Sequence, residues 1–363
     1  MELVLYGAGK IGKKAYELIK QYYSNTCKVD CFLDSVKTGK FCDVEINSID
    51  TVKKDAIIII TIGDMCKVID VYTILKKKGF QKIYWFIDFV HDTTKDLDFL
   101  AQECWKIENL GDCILPHLEL HISDKCNLNC KGCTHFSPLF DEIDLGFDNI
   151  MDDLIKLSKI FSNVARLDIL GGEPLLNKDL SKYIIEIRKL FPNTFIDIFT
   201  NGLLIPTLSE ETLECIRNNH VFISITEYKP THLMIEKIRL YLKKANIKYI
   251  LVPYDIRQKF NKPISISKNS KYDNLCISNG CVTVAYGKIA RCPTLMYINK
   301  FNEFFNTQLP NDGIVKLDEV TSGYDLLEKL KEEVPLCKHC IKCDMEWEVC
   351  GKNIKFEDFA VED

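Results

Sequence analysis

Five times between residues 117 and 253 a short apolar run is followed by an amphipathic helical stretch or a polar loop. The runs are HLELHIS (117–123), RLDIL (166–170), FIDIFT (195–200), VFISIT (221–226) and KYILVP (248–253). Helical patterns fall between them at 148–162, 178–190, 209–218 and 231–245; in the first, Ile150, Leu154, Leu157 and Phe161 share one face. Strands alternating with helices imply a parallel sheet covered by its own helices. The expectation for residues 113–275 is a partial (β/α)6 barrel, in which chemistry gathers at the C-terminal ends of the strands.

Residues 1–112 show the same alternation on a smaller scale. LVLY (3–6), VDCFLD (29–34), AIIIITIG (56–63) and QKIYWFID (81–88) read as four strands. The third is apolar throughout, as a sheet buried on both faces requires. GAGKIG (7–12) stands between the first strand and a helix, so Gly7, Gly9 and Gly12 form a G-x-G-x-x-G turn in its proper context. Free N–H groups at the start of that helix suit a phosphate. Asp34 ends the second strand, where a ribose-binding acid belongs. The expectation is a Rossmann-like domain with a nucleotide or nucleotide-sugar as ligand. The alternative is a tight strand-to-helix turn and nothing more. Four strands make one nucleotide-binding half, not a full dinucleotide fold.

A chain of 363 residues is long enough for two or three domains. The net charge of −5 gives no basic footprint for nucleic acid or a membrane surface. MELVLYGAG leads directly into a strand and does not read as a secretory leader, and no apolar run is long enough to span a bilayer. The expected location is the cytoplasm. Seventeen cysteines are therefore unusual, because structural disulfides do not suit a reducing compartment. Cys27, Cys31, Cys42, Cys66, Cys104, Cys113 and Cys215 are scattered and read as small buried hydrophobes. The other ten fall into three groups: 126/130/133, 276/281/292 and 337/340/343/350.

The first group lies in CNLNCKGC (126–133), directly after the first barrel strand, with the spacing C-x3-C-x2-C. Three thiolates can hold three corners of an iron–sulfur cube. A structural zinc site would want a fourth Cys or His; His135 offers a Cys3His alternative, at a spacing short for a zinc knuckle. Holding a four-iron cluster by three thiolates leaves one iron open to a small molecule, as catalytic metal sites keep an open position.

With GGEP (171–174) after the second strand, this pattern resembles the radical S-adenosylmethionine (SAM) superfamily over residues 117–350. The resemblance implies that Cys126, Cys130 and Cys133 ligate a 4Fe-4S cluster whose open iron is chelated by SAM. One electron then cleaves SAM to methionine and a 5′-deoxyadenosyl radical, which abstracts hydrogen from a substrate. Gly171, Gly172, Glu173 and Pro174 would line the methionine end of SAM, Glu173 accepting from its ammonium directly or through neighbours. Asn201 and Ser224 are candidate ribose or carboxylate contacts. Family members often carry an aromatic residue before the third cysteine to pack on adenine; here it is Gly132, and Phe136 or His135 is the candidate replacement.

Cys276, Gly287 and Cys292, followed by Cys337-x2-Cys340, resemble the auxiliary-cluster extensions called SPASM or, when shortened, Twitch. The expectation for 276–363 is a small cysteine-rich domain with one auxiliary 4Fe-4S cluster on Cys276, Cys292, Cys337 and Cys340. Cys281 is a rival ligand, Cys343 and Cys350 could serve a second auxiliary cluster, and a zinc ribbon of Cys337, Cys340, Cys343 and Cys350 is the structural alternative. An auxiliary cluster either accepts the electron left after hydrogen abstraction or orients the substrate.

These readings converge on a radical SAM oxidoreductase. Its expected substrate is a small molecule, carbohydrate or nucleotide-linked, such as a nucleotide-sugar or polysaccharide precursor. The expected reductant is a flavodoxin or ferredoxin. The alternatives are a peptide-modifying maturase of the SPASM type and a non-enzymatic iron–sulfur redox sensor. No acid–base pair stands out as catalytic; His121, Asp124, His135 and Tyr228, near strand ends, read as structural.

Overall fold

Every apolar run expected as a strand is one in a computed structural model of the chain, which describes residues 1–89, 98–140, 146–257, 259–267, 276 and 280–361. The described chain divides into two units, Met1–Leu110 and Gly111–Asp363. The expected boundary at 275/276 falls beside residues outside the description, Cys276 excepted.

In the first unit, β1 (Glu2–Tyr6), β2 (Lys28–Leu33), β3 (Gly39–Phe41), β4 (Val44–Asn47), β5 (Ile57–Ile60), β6 (Lys82–Phe86) and β7 (Cys104–Lys106) form one sheet in the order 3-4-2-1-5-6-7. The five central strands are parallel; β3 and β7 close the edges antiparallel. Ile58, Ile59 and Ile60 are fully buried, as a central strand covered on both faces must be. The helices are α1 (Lys10–Leu18), α2 (Met65–Lys77) and α3 (Phe99–Glu103). The three strands not expected from sequence, β3, β4 and β7, are three or four residues long; β3 and β4 are largely exposed and carry little hydrophobic signal.

The glycine turn owes two of its glycines to the fold. Gly7 has φ +120°, and a Cβ on Gly12 would stand 2.0 Å from the Gly7 carbonyl oxygen. A Cβ on Gly9 would meet nothing within 4 Å, so that face of the turn is open. Asp34 ties the turn: its Oδ2 accepts from Ala8 N at 2.8 Å, and its Oδ1 accepts from Val36 N and Lys37 N, both at 3.0 Å. Against the effect of burial, these donors and the Lys37 charge hold its carboxyl below the usual range. Most of its acceptor capacity is thus committed within the loop.

In the second unit, β8 (Ile114–His121), β9 (Asn163–Leu170), β10 (Phe195–Thr200), β11 (Val221–Thr226) and β12 (Tyr249–Val252) are parallel neighbours in sequence order. They are connected through α4 (Phe147–Ile160), α5 (Leu180–Leu190), α6 (Glu210–Asn218), the single-turn α7 (Lys229–His232) and α8 (Ile235–Lys244). β13 (Lys259–Ser265) leaves this sheet. The hairpin of β14 (Thr283–Ala285) and β15 (Lys288–Ala290) then returns to it, and β14 pairs parallel with β8. The hairpin expected in the cysteine-rich third region therefore supplies the sixth parallel strand of the barrel sheet, with β16 (Val315–Lys316) beyond it. A separate small sheet joins β13, β17 (Cys340–Glu346) and β18 (Ala360–Val361).

The barrel's inner face carries charge deep in the fold. Arg166 donates from Nε to Asp168 Oδ1 at 2.7 Å and from Nη2 to Asp197 Oδ2 at 3.0 Å, while His117 Nε2 meets Asp168 Oδ2 at 2.7 Å. Two buried carboxylates around one guanidinium persist because each has hydrogen-bond partners. Burial pushes the Asp197 carboxyl up to about 6, against the pull of Arg166.

Candidate active site

The loop 123–136 leaves β8 and is held by the chain that leaves β9. Gly172 N donates to Ser123 O at 2.6 Å, and Glu173 N donates to Lys125 O at 2.7 Å. A Cβ on Gly171 would stand 2.3 Å from Ser123 O, and one on Gly172 would stand 2.2 Å from Lys125 O. The two glycines are thus required by backbone-on-backbone packing beneath the cysteine loop, whatever ligand approaches from the other side.

Glu173 is 1% exposed and acts as a bracket. Its Oε1 accepts from Leu175 N at 3.1 Å and Thr200 Oγ1 at 2.7 Å, and its Oε2 accepts from Asn201 N at 2.9 Å. Burial pushes its carboxyl up to about 7 despite these donors. Asn201 continues the chain of contacts, donating from Nδ2 to Asn127 Oδ1 at 2.6 Å. Glu173 and Asn201 therefore tie the ends of β9 and β10 to the cysteine loop.

These elements surround a cavity of about 400 Å³. Cys126, Cys130 and Cys133 line it together, with Gly132, Gly171, Gly172, Thr200 and Asn201. Burial pushes the Cys126 thiol up to about 11 and the Cys130 thiol higher still, so metal ligation must displace protons from both. Leu128 N donates to Cys126 Sγ at 3.5 Å, and Trp347 Nε1 donates to Cys130 Sγ at 3.1 Å. Three thiols lining one cavity together with Gly171 and Gly172 fit a four-iron cluster with one corner open to a ligand. Among the described residues, no three His, Cys, Asp or Glu side chains converge to hold a single ion; a cube meets its thiolates at separate corners.

Several expected residues lie elsewhere. Glu173 and Pro174 stand behind the cavity wall and do not line it. Ser224 Oγ donates to Asp197 Oδ2 at 2.6 Å inside the barrel, and the residue is absent from the cavity lining. Phe136 does not replace the missing aromatic: it is fully buried in a core with Phe301 and Phe359, at ring distances of 5.2 and 5.8 Å. His135 does line the cavity, as do Phe199, Tyr228 and Phe260. Of these, sequence reading gave Tyr228 only a structural role and passed over Phe199 and Phe260. The strand ends at Phe199 and Tyr228 were legible but their orientation was not, and the strand carrying Phe260 was not legible at all. His121 and Asp124 pair with each other at 2.8 Å, and Tyr286 OH donates to both oxygens of Asp124 at 3.1 Å.

The tail cysteines part company. Cys292 and Cys340 each feel the charges of Cys276 and Cys337, and burial pushes both thiols up to about 12. Cys292 thus lies within electrostatic reach of Cys276, Cys337 and Cys340, the other three cysteines expected to share an auxiliary site. Cys281 lines the cavity beside Glu119. Cys343 pairs with Lys262 across β17 and β13. Cys350 sits at the cysteine loop, its N–H donating to Asn129 O at 2.8 Å and its thiol in the field of Cys133. Among the described residues no three of Cys337, Cys340, Cys343 and Cys350 converge to hold a single ion, as a zinc ribbon would require.

Residues 120–251 match the family model described as the Radical SAM superfamily. The chain is similar to the GTP 3',8-cyclase of Clostridium acetobutylicum, 28% identical over 155 residues that cover 38% of this chain and 48% of the cyclase. It is also similar to molybdenum cofactor biosynthesis protein 1 of Dictyostelium discoideum, 36% identical over 93 residues that cover 24% of this chain and 14% of that protein. The chain thus spans less than half the length of these curated relatives. Among solved structures, BtrN in complex with AdoMet and 2-DOIA matches at 16% identity and a TM-score of 0.39, covering 62% of this chain and 92% of BtrN.

Proposed function

We propose that this chain, an enzyme of the radical SAM superfamily that uses a 4Fe-4S cluster and SAM, oxidises a small carbohydrate or nucleotide-linked substrate. The observation that carries the oxidative reading is the convergence of Cys276 and Cys337 on Cys292 and Cys340. These four thiolates would hold a second four-iron cluster, which in the oxidative reading would accept the second electron rather than orient the substrate. Cys126, Cys130 and Cys133 would hold the first, which supplies one-electron cleavage of SAM and hydrogen abstraction when bound.

The chain's own residues divide the remaining work. Gly171 and Gly172 leave one wall of the cavity without side chains, so a ligand can lie against the backbone. Thr200 and Asn201 present polar groups from the end of β10. Phe199, Tyr228 and Phe260 offer flat faces for a base or a sugar ring. Glu119 and His135 give the cavity hydrogen-bonding groups suited to hydroxyls; Glu119 Oε2 is oriented by Thr283 Oγ1 at 3.0 Å. The relatives named GTP 3',8-cyclase act on a nucleotide, which supports a nucleotide-linked substrate without fixing it. In the first unit, the open face at Gly9, with Gly7, Gly12 and Asp34 shaping the turn, would take a nucleotide-sugar phosphate.

Anaerobic reconstitution with iron and sulfide tests the assignment. About eight irons per chain are expected, falling to about four when Cys126, Cys130 and Cys133 are changed to Ala and to about four when Cys276, Cys292, Cys337 and Cys340 are. Only the first variant should lose all 5′-deoxyadenosine formation with dithionite and SAM. Zinc in place of iron, or no 5′-deoxyadenosine from fully loaded protein, would overturn the proposal in favour of a metal-binding sensor.

A further inference from the structure

We infer that Trp347 sets the reduction potential of the cluster held by Cys126, Cys130 and Cys133, as a positioning residue that donates a hydrogen bond to one of its ligands. The inference rests on the assignment of those three cysteines as cluster ligands.

The indole Nε1 lies 3.1 Å from Cys130 Sγ although the two residues are 217 positions apart. An indole N–H can only donate, so the sense of this contact is fixed. It is also held in place by the surrounding backbone. Lys131 N donates to Glu348 O at 2.9 Å, Cys350 N to Asn129 O at 2.8 Å and Gly132 N to Asp358 O at 2.7 Å. Cys130 and Val349 form an antiparallel bridge, and Lys131 Nζ meets Glu348 Oε2 at 2.7 Å. Residues 348–350 thus lie along residues 129–131 like an added strand, which seats Trp347 beside the cysteine loop. The indole also stacks on Tyr228, ring centres 5.3 Å apart at 25°. Trp347 thus meets the site through Cys130 and through Tyr228, which lines the cavity.

Reducing an iron–sulfur cluster adds negative charge that spreads onto its thiolate sulfurs. A donor aimed at one of those sulfurs stabilises the reduced form more than the oxidised form and raises the potential. A residue that merely packed the loop would act on the potential only through shape and solvent access, both of which an isostere without the N–H preserves.

The test uses the reconstituted full-length chain. The reduced-cluster EPR signal that changes on adding SAM is followed through a redox titration. Trp347→Phe, and replacement of Trp347 by benzothienylalanine, which keeps the shape and loses the N–H, should both shift that signal's midpoint to lower potential. Iron per chain and the midpoint of the signal insensitive to SAM should stay at their wild-type values. An unshifted midpoint in the benzothienylalanine protein would reduce Trp347 to a packing residue and overturn the inference. If wild type gave no SAM-responsive signal, the cluster assignment itself would fail.

Discussion

Gly172 has no room for a methyl group, since its Cβ would stand 2.2 Å from Lys125 O and 2.8 Å from Asp124 O. Both atoms are backbone, so the clash cannot be relieved by a rotamer change. Gly172→Ala should cost roughly 2–4 kcal/mol of stability and lower iron loading of the three-cysteine site several-fold. Thermal unfolding and iron analysis of the same preparation would show both. Glu173, next in the chain, makes a pH prediction. Its folded value of about 7 lies above its ordinary 4.5, so the folded state holds the proton more tightly than the unfolded state. Its contribution is therefore complete below about 4.5 and is lost as pH rises through about 7. The loss is on the order of 3 kcal/mol by linkage. Urea unfolding of the metal-free chain should show this decline between pH 5 and pH 8, and Glu173→Gln should flatten it. An equal decline in both proteins would place the titrating group elsewhere.

At the scale of elements, the tail from Cys337 onward and the β14–β15 hairpin do work that their positions in sequence do not announce. The hairpin adds β14 to the edge of β8, aligning Thr283 with Glu119. This alignment places Thr283 Oγ1 on the Glu119 carboxylate. The tail sends Cys337 and Cys340 to Cys292 and sends Cys350 to Asn129. Cys337→Ala should therefore remove about four irons per chain, whereas Cys343→Ala and Cys350→Ala should each keep the wild-type count. A loss of about four irons from Cys350→Ala would make Cys350 a ligand of the cluster at the cysteine loop, whereas about twelve irons in the wild type would restore the second auxiliary cluster. The elements themselves were largely legible, because each barrel strand is an apolar run followed by a helical pattern. β13 was not: its sequence KFNKPIS mixes polar residues with a proline, and it pairs with β17 some eighty positions later.

The whole molecule divides at 110/111, and each unit closes around its own core. A fragment of residues 111–363 should accordingly bind about eight irons and form 5′-deoxyadenosine unaided, while a fragment of residues 1–110 should unfold cooperatively without metal. Failure of either fragment to fold would show that the division is not one of independent stability. No helix among the described residues is long and apolar enough to cross a membrane.

What the sequence determined by itself was local. Apolar periodicity specified the strands and helices, and C-x3-C-x2-C put three thiols on one turn of chain, because neighbouring residues constrain each other's geometry directly. Gly7 and Gly12 belong here too, since they face each other across a single turn. The tertiary structure decided which distant groups meet. It took Phe136 into the core, turned Ser224 toward Asp197, brought Tyr228 to the cavity and separated Cys350 from Cys337 and Cys340. It also carried Trp347 to Cys130. Such contacts follow from sheet register and core packing over the whole unit. A one-residue shift in a strand reverses the direction of its side chains, and no short stretch of sequence carries that information.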